Sequence, residues 1–169
     1  MMRGVDMEKA ILRGADLTRA DLREADLSRS DLGKAILVEA DLRRADLKRA
    51  SLVAARLPRA NLTGTRLKRA NLSGAVLDGA KLDHAILMRA RLNGATLRKA
   101  NLRRADLGHA DLTAADLRGA NLSEAKLRVA KLAGANLSGV TGLTQTQIQR
   151  ACGDAKTVLP PGLTLAPCE

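Results

Sequence analysis

The residues that could carry out catalysis or bind a metal are few in this chain. Two histidines, His84 and His109, stand twenty-five residues apart, and two cysteines, Cys152 and Cys168, enclose fifteen residues. Neither pair has the spacing of a zinc site, and the sequence contains no phosphate-binding glycine motif and no nucleophile elbow. We therefore expect no catalytic residue, no cofactor and no metal, and the sequence does not predict an enzyme.

The cysteines and the N-terminus bear on the compartment. Two cysteines are too few for a disulfide scaffold. The first residues are too charged to form a signal peptide, and no apolar run reaches the roughly 18 residues of a membrane span. These features predict a cytoplasmic protein that does not associate with a membrane. Two free thiols are the expectation there, whereas an oxidising compartment would let Cys152 and Cys168 pair.

Positive charge is the most prominent chemical feature, and it is unevenly distributed. The formal net charge is +11. Residues 47–105, the basic belt, carry fourteen Lys and Arg against two Asp, whereas residues 1–46 and 106–169 are nearly balanced. Such a belt suits a polyanion bound through its phosphates, because the chain has no aromatic residue to stack on bases. The alternative is a solvated surface that promotes solubility.

A five-residue repeat organises most of the chain. Every fifth position from Leu12 to Leu137 is leucine, and a small residue stands two positions earlier, Ala in nearly all cases. The unit Ala-(Asp/Asn)-Leu-x-x keeps its register from about Val5 to Gly139. On an α-helix this period would spread the leucines around all sides, and on one straight strand they would alternate faces. The spacing therefore predicts short extended segments with Ala and Leu facing inward, separated by corners at the last two positions.

Corner chemistry agrees with this interpretation, since eight of the fourteen glycines occupy the last position of a pentad. The aspartates at the second position are expected to hydrogen-bond locally or to face solvent. Pentads such as Ala15-Asp16-Leu17-Thr18-Arg19 and Ala70-Asn71-Leu72-Ser73-Gly74 resemble the pentapeptide-repeat family. The resemblance implies an all-β solenoid, a right-handed quadrilateral β-helix with four pentads and twenty residues per coil. Residues 1–141 would then form about seven coils.

The tail has a different pattern. Residues 144–151 are typical of a short helix, in which Thr144 and Gln147 form a capping-box pair. Leu143 and Ile148 occupy the positions of a hydrophobic staple. We expect residues 142–169 to be a C-terminal capping helix and tail that covers the last open coil, because solenoid ends expose unpaired edges. A partner-binding tail is the alternative.

With twenty residues per coil, arginines twenty apart would lie above one another. Arg29, Arg49, Arg69 and Arg89, the arginine row, have this spacing, and His109 would be a fifth member. Both histidines fall at corners and are expected to be surface residues. The candidate anion-binding residues, the basic patch, are Lys48, Arg49, Arg66, Lys68, Arg69 and Arg89.

Three functions follow. The first is a protein-interaction scaffold for an unknown protein partner, for which the flat face bearing Ala54, Gly74, Gly94, Ala114 and Gly134 is suited; a homodimer is left open. The second is binding of a polyanion, such as a nucleic acid backbone, through the basic patch. The third and least favoured comes from the family resemblance: some members mimic duplex DNA and bind topoisomerases, but that mimicry depends on an acidic surface.

Overall fold

The computed structural model describes residues 2–168, and in it the repeats wind into stacked coils. Parallel backbone bridges join residues twenty positions apart, from Asp6 with Asp26 to Asn121 with Thr141. Four pentads therefore complete one coil, as the family resemblance implied. None of the described segments forms a long continuous strand, since each pentad contributes only one bridge position to the side of the coil.

Each pentad is extended along Ala-x-Leu and then turns. The N–H of Leu72 donates to the carbonyl of Arg91 in the next coil at 2.7 Å, and the N–H of Ala75 closes the corner by donating to Leu72 at 3.0 Å. The last corner residue has a positive φ: the eight glycines at this position lie between 65° and 69°. Nineteen other residues, Arg49 among them, adopt a φ of 54° to 61°. The corner thus demands a left-handed backbone even where no glycine is present.

The core is a column of leucine and alanine, as the sequence predicts. Leu72 and nearly all the other repeat leucines and alanines from Leu22 to Leu137 are fully buried. The two polar residues in alanine positions are buried as well. Ser30 donates its hydroxyl to the carbonyl of Leu27 at 2.6 Å, and Thr65 donates to the carbonyl of Leu42 at 2.8 Å. Hydrogen bonding to the main chain lets these hydroxyls occupy an apolar interior.

The tail follows the last repeats and lies over their end. Helix α1 spans Gln145–Ile148, strand β1 spans Cys152–Gly153 and strand β2 spans Ala166–Pro167, parallel to β1. The capping box of Thr144 and Gln147 forms, and Ile148 is fully buried. Cys152 and Val158 continue the ladder by bridging to Lys131 and Asn136. None of the helices in residues 2–168 has the length and apolar character needed to cross a bilayer.

The expectation of two free thiols is wrong. Cys152 and Cys168 form a disulfide. The reason is the pairing of β1 with β2, which sets Cys152 opposite Ala166, with the N–H of Cys168 bonded to the carbonyl of Gly153 at 2.9 Å. This register, which sequence spacing does not reveal, brings the two sulfur atoms together.

Gly142 permits the change from repeats to tail. Its φ is 71°, and a Cβ there would lie 2.7 Å from the Cα of Ser123. A side chain would therefore collide with the coil beneath, in addition to the cost of the left-handed backbone.

Candidate anion-binding site

The arginine row occupies one corner of the solenoid. The φ of Arg29, Arg49, Arg69 and Arg89 lies between 57° and 61°, so all four share one backbone conformation. The N–H of Arg49 donates to the carbonyl of Lys68 in the next coil at 3.1 Å, as the N–H of Arg29 does to Lys48 at 2.9 Å. Main-chain bonds therefore fix the vertical spacing of the row, which is about 4.8 Å per coil.

All six residues of the basic patch are exposed. Five of them occupy the last two positions of stacked pentads, where the chain turns the corner. Arg66 occupies the bridge position of the same face. A surface cavity of about 540 Å³ lies among them. Its lining includes Arg29, Lys48, Arg49, Lys68 and Arg69, with Glu8 and Asp46 on its acidic side. The fold therefore gathers most of the patch around one cavity.

Asp46 belongs to this site, although sequence reasoning missed it. Its carboxylate accepts a hydrogen bond from Lys48 Nζ at 2.9 Å and lies 3.5 Å from Arg66 Nη1. Partial burial raises the pKa of Asp46, but the hydrogen bonds from Lys48 and the charge of Arg66 lower that pKa more, so that it lies below its usual value. Asp46 thus remains ionised and offsets part of the charge of two patch residues.

The other four patch residues have no such compensation. Within residues 2–168, Arg49, Lys68, Arg69 and Arg89 form no ion pair. Arg29, the first member of the row, lies 3.5 Å from Glu8. Uncompensated charge is therefore concentrated in the upper part of the row. Like charges stacked this closely repel one another, and a bound anion would relieve that repulsion.

A neighbouring arginine cluster shows the contrast. Arg23 and Arg43 also stack on one face, but Arg23 Nη2 lies 2.6 Å from Asp21 and Arg43 Nη2 lies 2.6 Å from Asp41. Their guanidinium groups are engaged by carboxylates of their own pentads. Arginine density alone therefore does not define the site, and what distinguishes the basic patch is that Arg49, Lys68, Arg69 and Arg89 have no carboxylate partner within residues 2–168.

The residues that could take part in catalysis or hold a metal do not come together within residues 2–168. His84 and His109 are exposed at separate corners, as expected. Among the described residues no cluster of His, Cys, Asp and Glu is arranged to hold a metal ion. The repeat aspartates bond locally, as predicted: Asp16 and Asp26 each accept the N–H of the residue two positions later, at 2.9 and 2.8 Å. These carboxylates are occupied in shaping the corners.

Comparisons with known proteins agree with the geometry of the coils. A family profile described as Pentapeptide repeats matches in eight copies, at residues 2–37, 25–64, 35–74, 65–104 and 105–141. The crystal structure of HetL, a pentapeptide-repeat protein involved in heterocyst differentiation regulation from the cyanobacterium Nostoc sp. strain PCC 7120, is 39% identical with a TM-score of 0.66. The match covers 83% of this chain and 63% of HetL, so the chain spans less than two thirds of that protein.

A second similar structure is that of Rfr23, a pentapeptide-repeat protein from the cyanobacterium Cyanothece 51142. It is 36% identical with a TM-score of 0.48, over 59% of this chain and 64% of Rfr23. The search of curated proteins found no match.

Proposed function

Because the chain belongs to the pentapeptide-repeat family, we propose that it acts without catalysis, as a binding scaffold whose basic patch holds polyanions. The observation that carries this proposal is the group of four exposed basic side chains, Arg49, Lys68, Arg69 and Arg89, without ion-pair partners among the described residues. Such groups attract phosphates or sulfates by charge and displace condensed counterions. We expect recognition of phosphates rather than stacking on bases, because the chain has no aromatic side chains.

The rigidity of the site supports the proposal. The N–H of each row arginine donates to a carbonyl of the next coil, so the main chain is held in place and mainly the side chains lose freedom on binding. The site is also short, because the three uncompensated arginines span two coil steps, about 10 Å. A polyanion would therefore be held by a few phosphates.

A salt titration of binding tests this function. The triple variant Arg49→Gln, Arg69→Gln and Arg89→Gln should bind duplex DNA and heparin more weakly. Its log–log salt slope should be shallower by up to about 2.7, the value for three phosphate contacts. The matched control replaces Arg44, Arg59 and Arg104, which have the same positive φ at other corners. Equal losses in both triples, or no binding by the wild type at low salt, would refute the proposal.

A protein partner is the second candidate. One observation favours it. On the face that carries Ala54 and Gly74, the outward positions of the two stacked segments 51–54 and 71–74 hold no charged residue. HetL, which is similar in sequence and fold, is involved in heterocyst differentiation regulation. We therefore retain a scaffold that binds protein on this face, whose pentads follow directly after those of the arginine row. A homodimer would use the same face. The net positive charge does not favour DNA mimicry.

Affinity purification from the source cells tests this candidate. Ala54 has a φ of 54°, close to that of the arginines at other corners, so Ala54→Arg should fold normally. It should abolish recovery of a partner that uses this face, while Ala114→Arg, three coils away, reports how far the contact extends. If both variants recover the same proteins as the wild type, this face is not the contact surface. Cell fractionation would test the predicted cytoplasmic location.

A further inference from the structure

One hydrogen bond is absent from the series that the inward-facing leucines of the repeats donate. The 26 leucines from Leu12 to Leu137 all face the core, and 25 of them donate their N–H to a carbonyl of the following coil or tail at 2.7 to 2.9 Å. Leu127 is the exception, because its N–H has no acceptor within residues 2–168. Leu122, one pentad earlier, donates to Thr141, and Leu132, one pentad later, donates to Cys152, both at 2.8 Å.

The tail explains this gap. Helix α1 stands where the next coil would place an extended segment, so Lys126 has no bridge partner above it. The tail replaces the other two bonds of this pentad: Gln147 Nε2 donates to the carbonyl of Ala125 at 2.9 Å, and the N–H of Val129 donates to Arg150 at 3.1 Å. Among the main-chain groups of this pentad that would bond to a next coil, the N–H of Leu127 alone has no replacement partner in residues 2–168. Unpaired main-chain donors are rare in folded proteins, so this one calls for a partner.

A cavity lies at this position. It has a volume of about 480 Å³ and is lined by Lys126, Leu127 and Arg128 on the coil and by Thr146 and Gln147 on the tail. This volume falls within the range of about 300–1,000 Å³ that is usual for ligand sites. The missing bond and the cavity thus coincide, and together they form a slot between the last repeats and α1.

The charges around the slot indicate its ligand. Lys126 and Arg128 are exposed and form no ion pair in the described part of the chain. Glu124, the acidic residue at the rim, is engaged by Arg104 at 2.7 Å and by Arg103 at 3.3 Å. The environment of the free N–H is therefore net positive.

We propose that the slot binds a short extended peptide segment of a partner protein that carries acidic side chains. A main-chain carbonyl of that segment accepts a hydrogen bond from the Leu127 N–H. Carbonyls of the next coil or of the tail do the same for the other 25 leucines of the column. The carboxylates of the segment lie against Lys126 and Arg128. Recognition here uses a single main-chain hydrogen bond to position the segment, and the two basic side chains give specificity for acidic residues. The slot is separate from the basic patch, so the two sites stand or fall independently.

Amide NMR on the intact chain tests the proposal. In the free protein the Leu127 amide should exchange with solvent at least about tenfold faster than the amides of Leu122 and Leu132, which are bonded. The probe is the peptide acetyl-Glu-Val-Glu-Val-amide, added to about 10 mM so that even a Kd near 1 mM would be saturated. We expect the Leu127 amide proton to move downfield and its exchange to slow. The control peptide acetyl-Lys-Val-Lys-Val-amide should leave it unchanged.

Variants sharpen the test. Lys126→Glu with Arg128→Glu should remove the response to the acidic peptide, whereas Lys131→Glu, an exposed lysine on another face, should keep it. The proposal is overturned if the free Leu127 amide is as protected as its neighbours. It is equally overturned if the acidic peptide leaves Leu127 unshifted, if both peptides shift it alike, or if heparin alone does so.

Discussion

The side-chain amide of Gln147 donates to the main-chain carbonyl of Leu122 across 2.8 Å, and this bond joins α1 to the last repeats. The same Nε2 reaches the carbonyl of Ala125 at 2.9 Å, and Gln147 Oε1 accepts the N–H of Thr144 at 2.8 Å. One side chain therefore serves three backbone groups at the point where the regular ladder ends. The stability of this end depends on it more than on the intrinsic helicity of a four-residue segment.

Replacing this side chain should destabilise the tail. Gln147→Ala leaves the carbonyl of Ala125 and the N–H of Thr144 without a partner, while the carbonyl of Leu122 keeps only the N–H of Ala125. We expect a loss of about 1–3 kcal/mol in the free energy of unfolding. Urea denaturation measures it. Gln149→Ala is the control, because Gln149 is exposed and its side chain makes no hydrogen bond in the described structure. Similar losses in the two variants would mean that the contacts of Gln147 are not what holds α1.

The leucine column should be sensitive to a cavity. Leu72 is fully buried in the middle of the stack, and Leu72→Ala should cost about 2–5 kcal/mol because neighbouring coils are too rigid to collapse into the space. Ser28→Ala, whose hydroxyl has no hydrogen bond among the described residues, should stay within about 0.5 kcal/mol of the wild type. Thermal or urea unfolding compares them. Near-equal losses would contradict the inward assignment of the leucines.

The repeat explains why so much of the fold could be predicted. An uninterrupted leucine at every fifth position leaves one way to bury all of them, so the inward faces, the corners and the local bonds of the aspartates follow from residue types and spacing. The helix near Ile148 could be located because Thr144 and Gln147 carry a local signal. Family resemblance supplied the twenty-residue coil, which spacing alone does not give.

The remainder depends on contacts between coils, which linear counting does not show. In the sequence Asp46 ends the segment 1–46, in which positive and negative charges are nearly balanced. The coil nevertheless places its carboxylate against Lys48 and Arg66. The disulfide depends on the register of two short strands in the tail. The gap at Leu127 is invisible in the sequence, because that pentad resembles its neighbours and only the tail above it differs.

The disulfide should hold the end of the tail in place. Cys152 and Cys168 are 16 positions apart, and closing a loop of that size contributes about 3 kcal/mol in the chain-entropy view. Reductant should therefore lower the Tm of the wild type. Cys168→Ser should start from the lower Tm and not respond to reductant. A wild-type Tm that is unchanged when mass spectrometry shows both thiols reduced would contradict this role.

The ion pair of Asp21 with Arg23 should make stability depend on acid. Arg23 Nε donates to the carboxylate at 2.7 Å, and this hydrogen bond is the main cause that lowers the pKa of Asp21 from 3.8 to about 2. As pH falls below 3.8, Asp21 takes up a proton in the unfolded chain but stays ionised in the folded chain. The contribution of the ion pair to stability therefore declines, and it is gone below about pH 2. Asp21→Asn should therefore show a smaller fall in Tm between about pH 5 and pH 2 than the wild type. Asp111→Asn, at the same pentad position but without an ion pair in residues 2–168, is the control. If the Tm of Asp21→Asn falls as much as that of the wild type over this pH range, the ion pair contributes nothing to the acid dependence of stability.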